Sequence, residues 1–222
     1  MVRNCQKDPL EVIGRAKGFS HEELAQKLPC HKDFYPDLLK RVEEVPEMIF
    51  RNSGSLFAKK INRMMREISS EAYRAEQFTR TEINNHGVLY GIVLLKHKVI
   101  DRVLYYFHKR WPQCVICLYN EHNKITSTVN ERGEIKNFNL PLKEVIEIAS
   151  KDRPIVPYFE DIQFSGKEIF ETLYKSQFIP ERENQPYYKS MIPKQCFQLP
   201  GMRKGIEKRF KSHYKKLNNF SK

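Results

Sequence analysis

The sequence has no long apolar segment. No run approaches the roughly 20 consecutive apolar residues that a transmembrane helix needs, and the N-terminal residues contain no apolar stretch typical of a signal peptide. No repeat period is present, which excludes collagen, coiled-coil and solenoid architectures. The five cysteines are odd in number and scattered, so they form no disulfide framework. We therefore expect a globular, cytoplasmic protein that is not inserted in a membrane.

Glycine is scarce and the usual site motifs are missing. None of the nine glycines belongs to a G-x-x-x-x-G-K-[ST], G-x-G-x-x-G or G-x-S-x-G motif. The seven histidines show no H-x-x-x-H or H-E-x-x-H spacing. The single C-x-x-C pair, Cys114 and Cys117, lies in a predicted strand, where residues three apart point to opposite faces. We predict core cysteines, no metal and no cofactor, and the sequence names no catalytic residue.

Positive charge is what the sequence has in excess. Lys and Arg number 39 against 27 Asp and Glu, which gives a net charge of +12. Residues 182–222 hold eleven Lys or Arg against two Glu, so these last 41 residues carry three quarters of the excess. Such an imbalance favours a polyanionic partner, nucleic acid first and an anionic membrane surface second.

Aromatic residues interleave with the cations of this C-terminal region. The stretch after Gly201 has the apolar spacing of a helix whose other faces are basic. Such a segment can neutralise phosphates while its aromatic rings stack on bases. Two alternatives remain: a solvated basic tail that packs its apolar stripe on the core, and a membrane-surface or calmodulin-type helix.

Hydrophobic periodicity predicts a long helix from about residue 56 to 80. Its apolar stripe consists of Phe57, Ile61, Met64, Met65, Ile68, Ala72, Ala75 and Phe78. The opposite face carries charged residues that include Lys60, Arg63, Arg66, Glu67 and Arg74. This spacing is that of a helix with one buried face, so the stripe is core.

Shorter patterns complete the predicted fold. Apolar runs at 88–95 and 114–119 predict buried strands, separated by a helix that ends before Pro112. A hairpin follows, with its turn at residues 130–133, and then a helix at 142–150. This order predicts an α+β fold with a small, mostly antiparallel sheet covered by helices. Ser165 and Glu168 have the spacing of a capping box before one more helix.

The N-terminal fifty residues are predicted to be helical. Ser20 and Glu23 have capping-box spacing. Residues 20–44 loosely resemble a helix-turn-helix unit, but Pro36 argues against a recognition helix there and favours a plain helical pair. We predict a helical N-terminal extension at 1–52, an α+β core domain at 53–200 and a basic C-terminal helix at 201–222.

Three stretches, residues 71–99, 103–123 and 173–197, resemble a known family. The most specific is the last, where the family's pattern is I-x-E-R-x-N followed by M-P-K. It is matched here by Ile179, Glu181, Arg182, Asn184, Met191, Pro193 and Lys194. The family is uncharacterised and is described as "probable DNA metabolism protein". It is associated with uracil-DNA-glycosylase-like domains and with radical-SAM proteins. Where the family continues M-P-K-R-Y-W, this chain has Gln195 and Phe197 instead.

The resemblance implies a role for Arg74, Phe78, Arg80, Arg182, Asn184 and Lys194. Arginine can bind phosphate, and asparagine can hydrogen-bond a base edge. The alternative is that the motif is architectural, with Arg182 and Asn184 joining the C-terminal loop to the sheet. His97, between Lys96 and Lys98 at a strand-to-helix junction, is placed to bind phosphate. The full predicted nucleic-acid-binding set is Arg74, Arg80, His97, Arg182, Asn184, Lys189, Lys194, Arg203, Lys204, Lys208, Arg209 and Lys211.

We therefore expect a nucleic-acid-binding accessory protein in DNA repair or modification, with DNA favoured over RNA. One alternative is an enzyme that acts on a nucleobase or phosphodiester, for which Asp161 and Glu168 are candidate metal-binding carboxylates. The other is a protein-interaction adaptor for a glycosylase-like or radical-SAM partner.

Overall fold

The computed structural model describes residues 18–155, the five single residues Thr172, Ser176, Tyr187, Ser190 and Ile192, and residues 194–199. The chain divides into two compact units. The first comprises the chain up to Tyr73 together with Leu95–Val103, and the second comprises Arg74–Leu94 together with the chain from Leu104 onward. The domain boundaries predicted after residues 52 and 200 stay predictions.

Helices dominate the first unit. They are α1 (His21–Lys27), which a 3₁₀ turn extends through Leu28–Cys30, α2 (Asp37–Glu43), α3 (Glu47–Arg51) and the larger part of α4 (Leu56–Phe78). The predicted capping box is confirmed, because the Glu23 N–H donates to Ser20 Oγ at 3.2 Å and the Ser20 N–H donates to Glu23 Oε2 at 3.1 Å. Pro36 and Pro46 stand at the N-caps of α2 and α3, where proline costs the helix no hydrogen bond.

The core of the first unit forms where these short helices meet the apolar stripe of α4. Its fully buried side chains include Leu24, Leu28, Leu38, Phe50, Ile61 and Met65. One polar side chain lies among them. Asn62 Nδ2 donates to the Phe50 carbonyl oxygen at 2.7 Å and to Ser53 Oγ at 2.9 Å. Asn62 thus fixes the end of α3, where Ser53 adopts a positive φ of 51°.

The second unit contains a five-stranded sheet in the order β1-β2-β3-β4-β5. The strands are β1 (Thr81–Ile83), β2 (Val88–Val93), β3 (Val115–Asn120), β4 (Ile125–Val129) and β5 (Ile135–Phe138). Three neighbouring pairs are antiparallel, and only β2 and β3 run parallel. A parallel pair needs a crossover, and helix α5 (Ile100–Arg110) lies on that connection. The predicted α+β fold with a mostly antiparallel sheet is confirmed.

One helix covers part of this sheet. In α6 (Leu142–Ser150), Val145 is buried together with Val88 of β2 and Cys117 of β3. β1 is the strand that the sequence did not predict, because three residues are too few to show alternation. It pairs with β2 so closely that a Cβ added at Gly91 would come within 2.9 Å of the Arg80 carbonyl oxygen. Gly91 therefore lets the two strands approach.

Turns with glycine at positive φ join the elements of the sheet. Gly87 (φ 70°) stands before β2, and Gly133 (φ 79°) stands in the β4–β5 hairpin, in the turn that the sequence predicted. None of the helices in the described part of the chain is both long and apolar enough to cross a membrane. Of the helix predicted after Ser165, the structure describes only Thr172 and Ser176, which are both helical, and the helix predicted after Gly201 lies outside the described residues.

Candidate functional site

Most of the predicted nucleic-acid-binding residues lie outside the described part of the chain. These are Arg182, Asn184, Lys189, Arg203, Lys204, Lys208, Arg209 and Lys211. Arg74, Arg80, His97 and Lys194 are described. Their assignment as binding residues stays a prediction, and the structure adds their surroundings.

Arg74 lies close to the C-terminal segment that carries the family motif. It is half-buried on α4, and Lys194 is exposed at the start of the 3₁₀ helix Lys194–Gln198. Burial raises the pKa of the Cys196 thiol in that helix, and the positive charge of Arg74 offsets part of this rise. The structure therefore places Arg74 within electrostatic range of Cys196, and both residues belong to the second unit. Arg80, just past the end of α4, is exposed.

His97 lies in the first unit, away from solvent, with 8% of its surface exposed. Its Nδ1 accepts a hydrogen bond from the Lys32 N–H at 3.2 Å, and its own backbone N–H donates to Glu71 Oε2 at 2.7 Å. Burial is the main cause of a lowered pKa for His97, against which the Glu71 carboxylate acts. The His97 imidazole is therefore held as a neutral ring inside a polar cluster.

A second imidazole faces His97 across this cluster. The ring centroids of His31 and His97 are 4.5 Å apart. His31, of which 2% is exposed, directs Nε2 to Glu67 Oε2 at 3.1 Å, and its Nδ1 accepts the Asp33 N–H at 3.1 Å. One potential ligand atom from each of His31, Glu67 and His97 lies within 4.8 Å of the other two. We call these three residues the His–Glu–His cluster.

Three separate segments build the His–Glu–His cluster. His31 follows the 3₁₀ turn after α1, Glu67 projects from α4, and His97 belongs to the segment before α5. Backbone bonds hold the segments together: the Lys98 N–H donates to the Cys30 carbonyl oxygen at 2.8 Å, and the Lys96 N–H donates to both Glu71 carboxylate oxygens at 3.1 Å. All of these residues belong to the first unit, so the cluster is formed within one compact body.

An open cleft of about 190 Å³ adjoins the cluster. His31 and Glu67 line it, together with Asp33, Tyr35, Lys60 and Arg63. Arg63 Nε lies 3.4 Å from Glu67 Oε1, the carboxylate oxygen that His31 leaves free. The lining of the cleft therefore combines the cations Lys60 and Arg63 with the His31 imidazole and the Glu67 carboxylate.

Lys60 and Arg63 are part of a longer cationic surface on α4. The exposed side chains of Lys59, Lys60, Arg63 and Arg66 succeed one another there, and no Asp or Glu occurs between Leu56 and Arg66. Within the described residues, only Arg63 of these four forms an ion pair. We call the four residues the α4 cationic face.

The C-x-x-C pair shows no sign of activation. Cys114 precedes β3 and Cys117 lies within it, and both are buried. Burial raises the pKa of the Cys114 thiol, and it raises the pKa of Cys117 to about 12. Both thiols therefore stay protonated at neutral pH and are poor nucleophiles.

The sequence missed the pairing of His31 with Glu67, because 36 residues separate them. The available signal was weak: Glu67 and Glu71, four apart on the polar face of the predicted long helix, form two acceptors in one row. Nothing in the sequence indicated which loops they would meet.

Comparison with curated proteins and with solved structures finds no match. A family model does match, described as a domain of unknown function, DUF4130, and it covers residues 36–199. The match includes the whole of α4, the whole sheet and the described segment 194–199, and it covers well over half of the chain. By this match, the chain belongs to the DUF4130 family.

Proposed function

We propose that this protein binds nucleic acid, and that it acts as an accessory protein in DNA repair or modification. The observation that carries the proposal is the α4 cationic face, Lys59, Lys60, Arg63 and Arg66, on a helix half that has no acidic residue. Three of the four, Lys59, Lys60 and Arg66, form no ion pair within the described residues, and such solvated cations release condensed counterions when they meet a nucleic-acid backbone.

The geometry of the face suits a polyanion. Lys59 and Arg66 are seven residues apart, which is about 10 Å along a helix axis. Duplex DNA presents one charge per roughly 1.7 Å of its own axis, so a segment of this length faces several phosphates. The basic residues from 182 to 222 extend the same kind of contact, through the excess charge of the sequence.

The preference for DNA over RNA and the role in repair or modification come from the resemblance described above. The same holds for a partner of the glycosylase-like or radical-SAM class. The proposed cytoplasmic location rests instead on the scattered cysteines and on the absence of an apolar signal-like stretch in the sequence. Phosphate contacts carry no sequence information, so the α4 cationic face supports binding without indicating a target sequence.

The binding proposal is tested with two variants that remove equal charge. One replaces Lys59, Lys60 and Arg66 by Gln, leaving Arg63 with Glu67. The control replaces Lys136, Lys143 and Lys151, three exposed lysines of the second unit, by Gln. Fluorescence anisotropy over a salt series gives the slope of log affinity against log salt for labelled duplex DNA, single-stranded DNA and RNA.

We expect the α4 variant to flatten the slope on duplex DNA by about 2 to 3, close to 0.9 for each phosphate contact removed. The control should change it by less than one contact, since its lysines lie elsewhere. Equal slopes for both variants would mean that the α4 cationic face contributes net charge alone. Tighter binding to RNA than to DNA would contradict the proposed preference.

A second candidate function is an enzyme that acts on a nucleobase or phosphodiester. The His–Glu–His cluster favours it, because the His31 imidazole and the Glu67 carboxylate line a cleft, and such groups transfer protons or bind metals. Turnover of an oligonucleotide that disappears in Glu67→Gln, while binding persists, would support this function over simple binding.

A further inference from the structure

We propose that His31, Glu67 and His97 form the binding site of one divalent transition-metal ion. The proposal goes beyond nucleic-acid binding and does not depend on it. It also departs from the sequence-based expectation of no metal, which considered the cysteine pair and histidines close in sequence. The structure instead brings together three ligands that are distant in sequence.

The spacing of the donors fits such an ion. Protein nitrogen and oxygen ligands lie at about 2.0 to 2.2 Å from Zn²⁺, so two ligands at octahedral or tetrahedral angles are about 3.0 to 3.5 Å apart. His31 Nε2 and Glu67 Oε2 already stand 3.1 Å apart. The ligand atom of His97 lies within 4.8 Å of the other two, so a shift of about 1 Å closes the set.

His97 contributes the donor that the folded protein leaves unused. Its Nδ1 accepts the Lys32 N–H, whereas its Nε2 has no hydrogen-bond partner within the described residues. The ring is held in place by its stacking with His31 and by the bond from its backbone N–H to Glu71. Once its proton has moved to Nδ1, this Nε2 can coordinate a metal beside the Glu67 carboxylate.

Metal binding requires a change of tautomer in both rings. Because Nδ1 of His31 accepts the Asp33 N–H and Nδ1 of His97 accepts the Lys32 N–H, each neutral ring carries its proton on Nε2. Coordination through Nε2 moves each proton to Nδ1, so neither ring gains or loses charge. The two backbone N–H groups must then turn away from the rings.

The structure holds an acceptor ready for one of these protons. Asp33 Oδ2 lies 3.9 Å from His31 Nδ1. When the Asp33 N–H turns away, this carboxylate accepts the new Nδ1–H and forms the carboxylate–histidine–metal arrangement that orients many protein metal ligands. Asp33 is thus a positioning residue for the site, and the turn at residues 31–33 is the part of the chain that rearranges.

The surrounding charges are compatible with a divalent ion. Arg63 contacts Glu67 Oε1, which leaves Oε2 for the metal, and the Glu71 carboxylate stands beside His97. Three protein ligands leave at least one coordination position for water, the arrangement of catalytic rather than structural zinc sites. Since His31 and Glu67 line the cleft, a water molecule or a ligand can reach the open coordination position from the cleft.

The test uses the full chain without an affinity tag, stripped with a chelator and titrated with Zn²⁺ by calorimetry. We expect one Zn²⁺ per chain, retained through gel filtration and measured by elemental analysis. His97→Ala and Glu67→Gln should each weaken binding at least tenfold. The matched control is His122→Ala, an exposed histidine outside the cluster, which should bind as the parent does.

Two further measurements separate this site from adventitious binding. Asp33→Asn should retain one Zn²⁺ but lower its affinity by about 10- to 100-fold, as expected for the loss of a carboxylate that orients a ligand. In the NMR spectrum, the Lys32 and Asp33 amide signals should shift on addition of Zn²⁺. Less than about one-fifth of an ion per chain, or equal binding by His97→Ala and the parent, would overturn the proposal.

Discussion

Asn62 is a polar residue in an apolar environment, on the buried side of α4 with 1% of its surface exposed. Its amide nitrogen satisfies the Phe50 carbonyl oxygen and Ser53 Oγ at once. The Phe50 carbonyl oxygen also accepts the Ser53 N–H at 3.1 Å, so it keeps one donor when the Asn62 amide is removed. What Asn62 adds is a pair of hydrogen bonds that link α4 to the end of α3. The α3–α4 connection therefore depends on this one side chain.

We expect Asn62→Ala to lower the free energy of unfolding by about 1 to 2 kcal/mol, the usual cost of lost hydrogen bonds together with lost packing. Ser70→Ala, on the exposed side of the same helix, is the control and should change stability by less than about 0.5 kcal/mol. Urea denaturation followed by circular dichroism measures both. A loss of similar size in the two variants would remove the special role of Asn62.

Single residues also show where sequence-based prediction ends. The burial of Ile61, Met64, Met65, Ile68, Ala72 and Ala75 was predictable, because their spacing follows the helix period and needs no knowledge of the rest of the chain. The His31–Glu67 pair was not, since its contact depends on where a distant loop packs. The burial of His97 was not predictable for the same reason, because the sequence around it does not indicate that it contacts Lys32 and Glu71.

At the scale of elements, Arg153 ties the end of α6 to three loops of the sheet. Its Nε donates to the His86 carbonyl oxygen at 2.8 Å, and Nη2 donates to the Gln113 carbonyl oxygen at 3.3 Å. Nη1 pairs with the Glu131 carboxylate in the β4–β5 hairpin. One guanidinium thus holds together the turn before β2, the segment before β3 and the hairpin.

Arg153→Ala should therefore lower the free energy of unfolding by about 2 to 3 kcal/mol, because it leaves two carbonyl groups and a carboxylate without a partner. The control is Arg132→Ala, an exposed neighbour in the hairpin turn, with an expected change below about 0.5 kcal/mol. Thermal or urea denaturation decides between a clamp and a surface arginine. Equal stability of the two variants would show that the three loops hold without it.

The same pair gives a pH dependence. Burial raises the pKa of Glu131, but the Arg153 hydrogen bond, the Glu131 backbone bond and the nearby arginine charges outweigh it and hold the pKa below 4.5. Because the pKa of Glu131 is lower in the folded than in the unfolded protein, its charged form stabilises the fold at pH values above the unfolded-state pKa. This stabilisation is lost as the pH falls through the folded-state pKa. The free energy of unfolding of Glu131→Gln should therefore fall less between about pH 5 and 3 than that of the parent protein.

Strand β1 marks the limit of prediction for whole elements. α4, α5, α6 and the hairpin were predictable because each shows a period or a turn signal of its own. β1 has only three residues, and it exists because β2 offers an edge and Gly91 allows a close approach. β1 forms because of its neighbour β2, so the sequence of residues 81–83 alone does not predict a strand.

For the whole molecule, net charge leads to a prediction about the C-terminal region. Deleting residues 201–222 should weaken binding to DNA and flatten its salt dependence. If about five phosphate contacts are lost, the slope should change by about 3.5 on single strands and about 4.5 on duplex DNA. Anisotropy titrations at several salt concentrations measure it. An unchanged slope in the shortened protein would assign the binding to other residues.

The return of Leu95–Val103 to the first unit has a consequence for synthesis. The bonds from Lys98 to Cys30 and from His97 to Glu71 cannot form until those residues have left the ribosome. By then β1 and β2 have emerged, and their antiparallel pairing closes much of the loop between Tyr73 and Leu95. Since closing a long loop costs conformational entropy, this hairpin is placed to bring the returning segment back. The N-terminal helices thus emerge first, but the first unit acquires all of its contacts only after β1 and β2 have been synthesised.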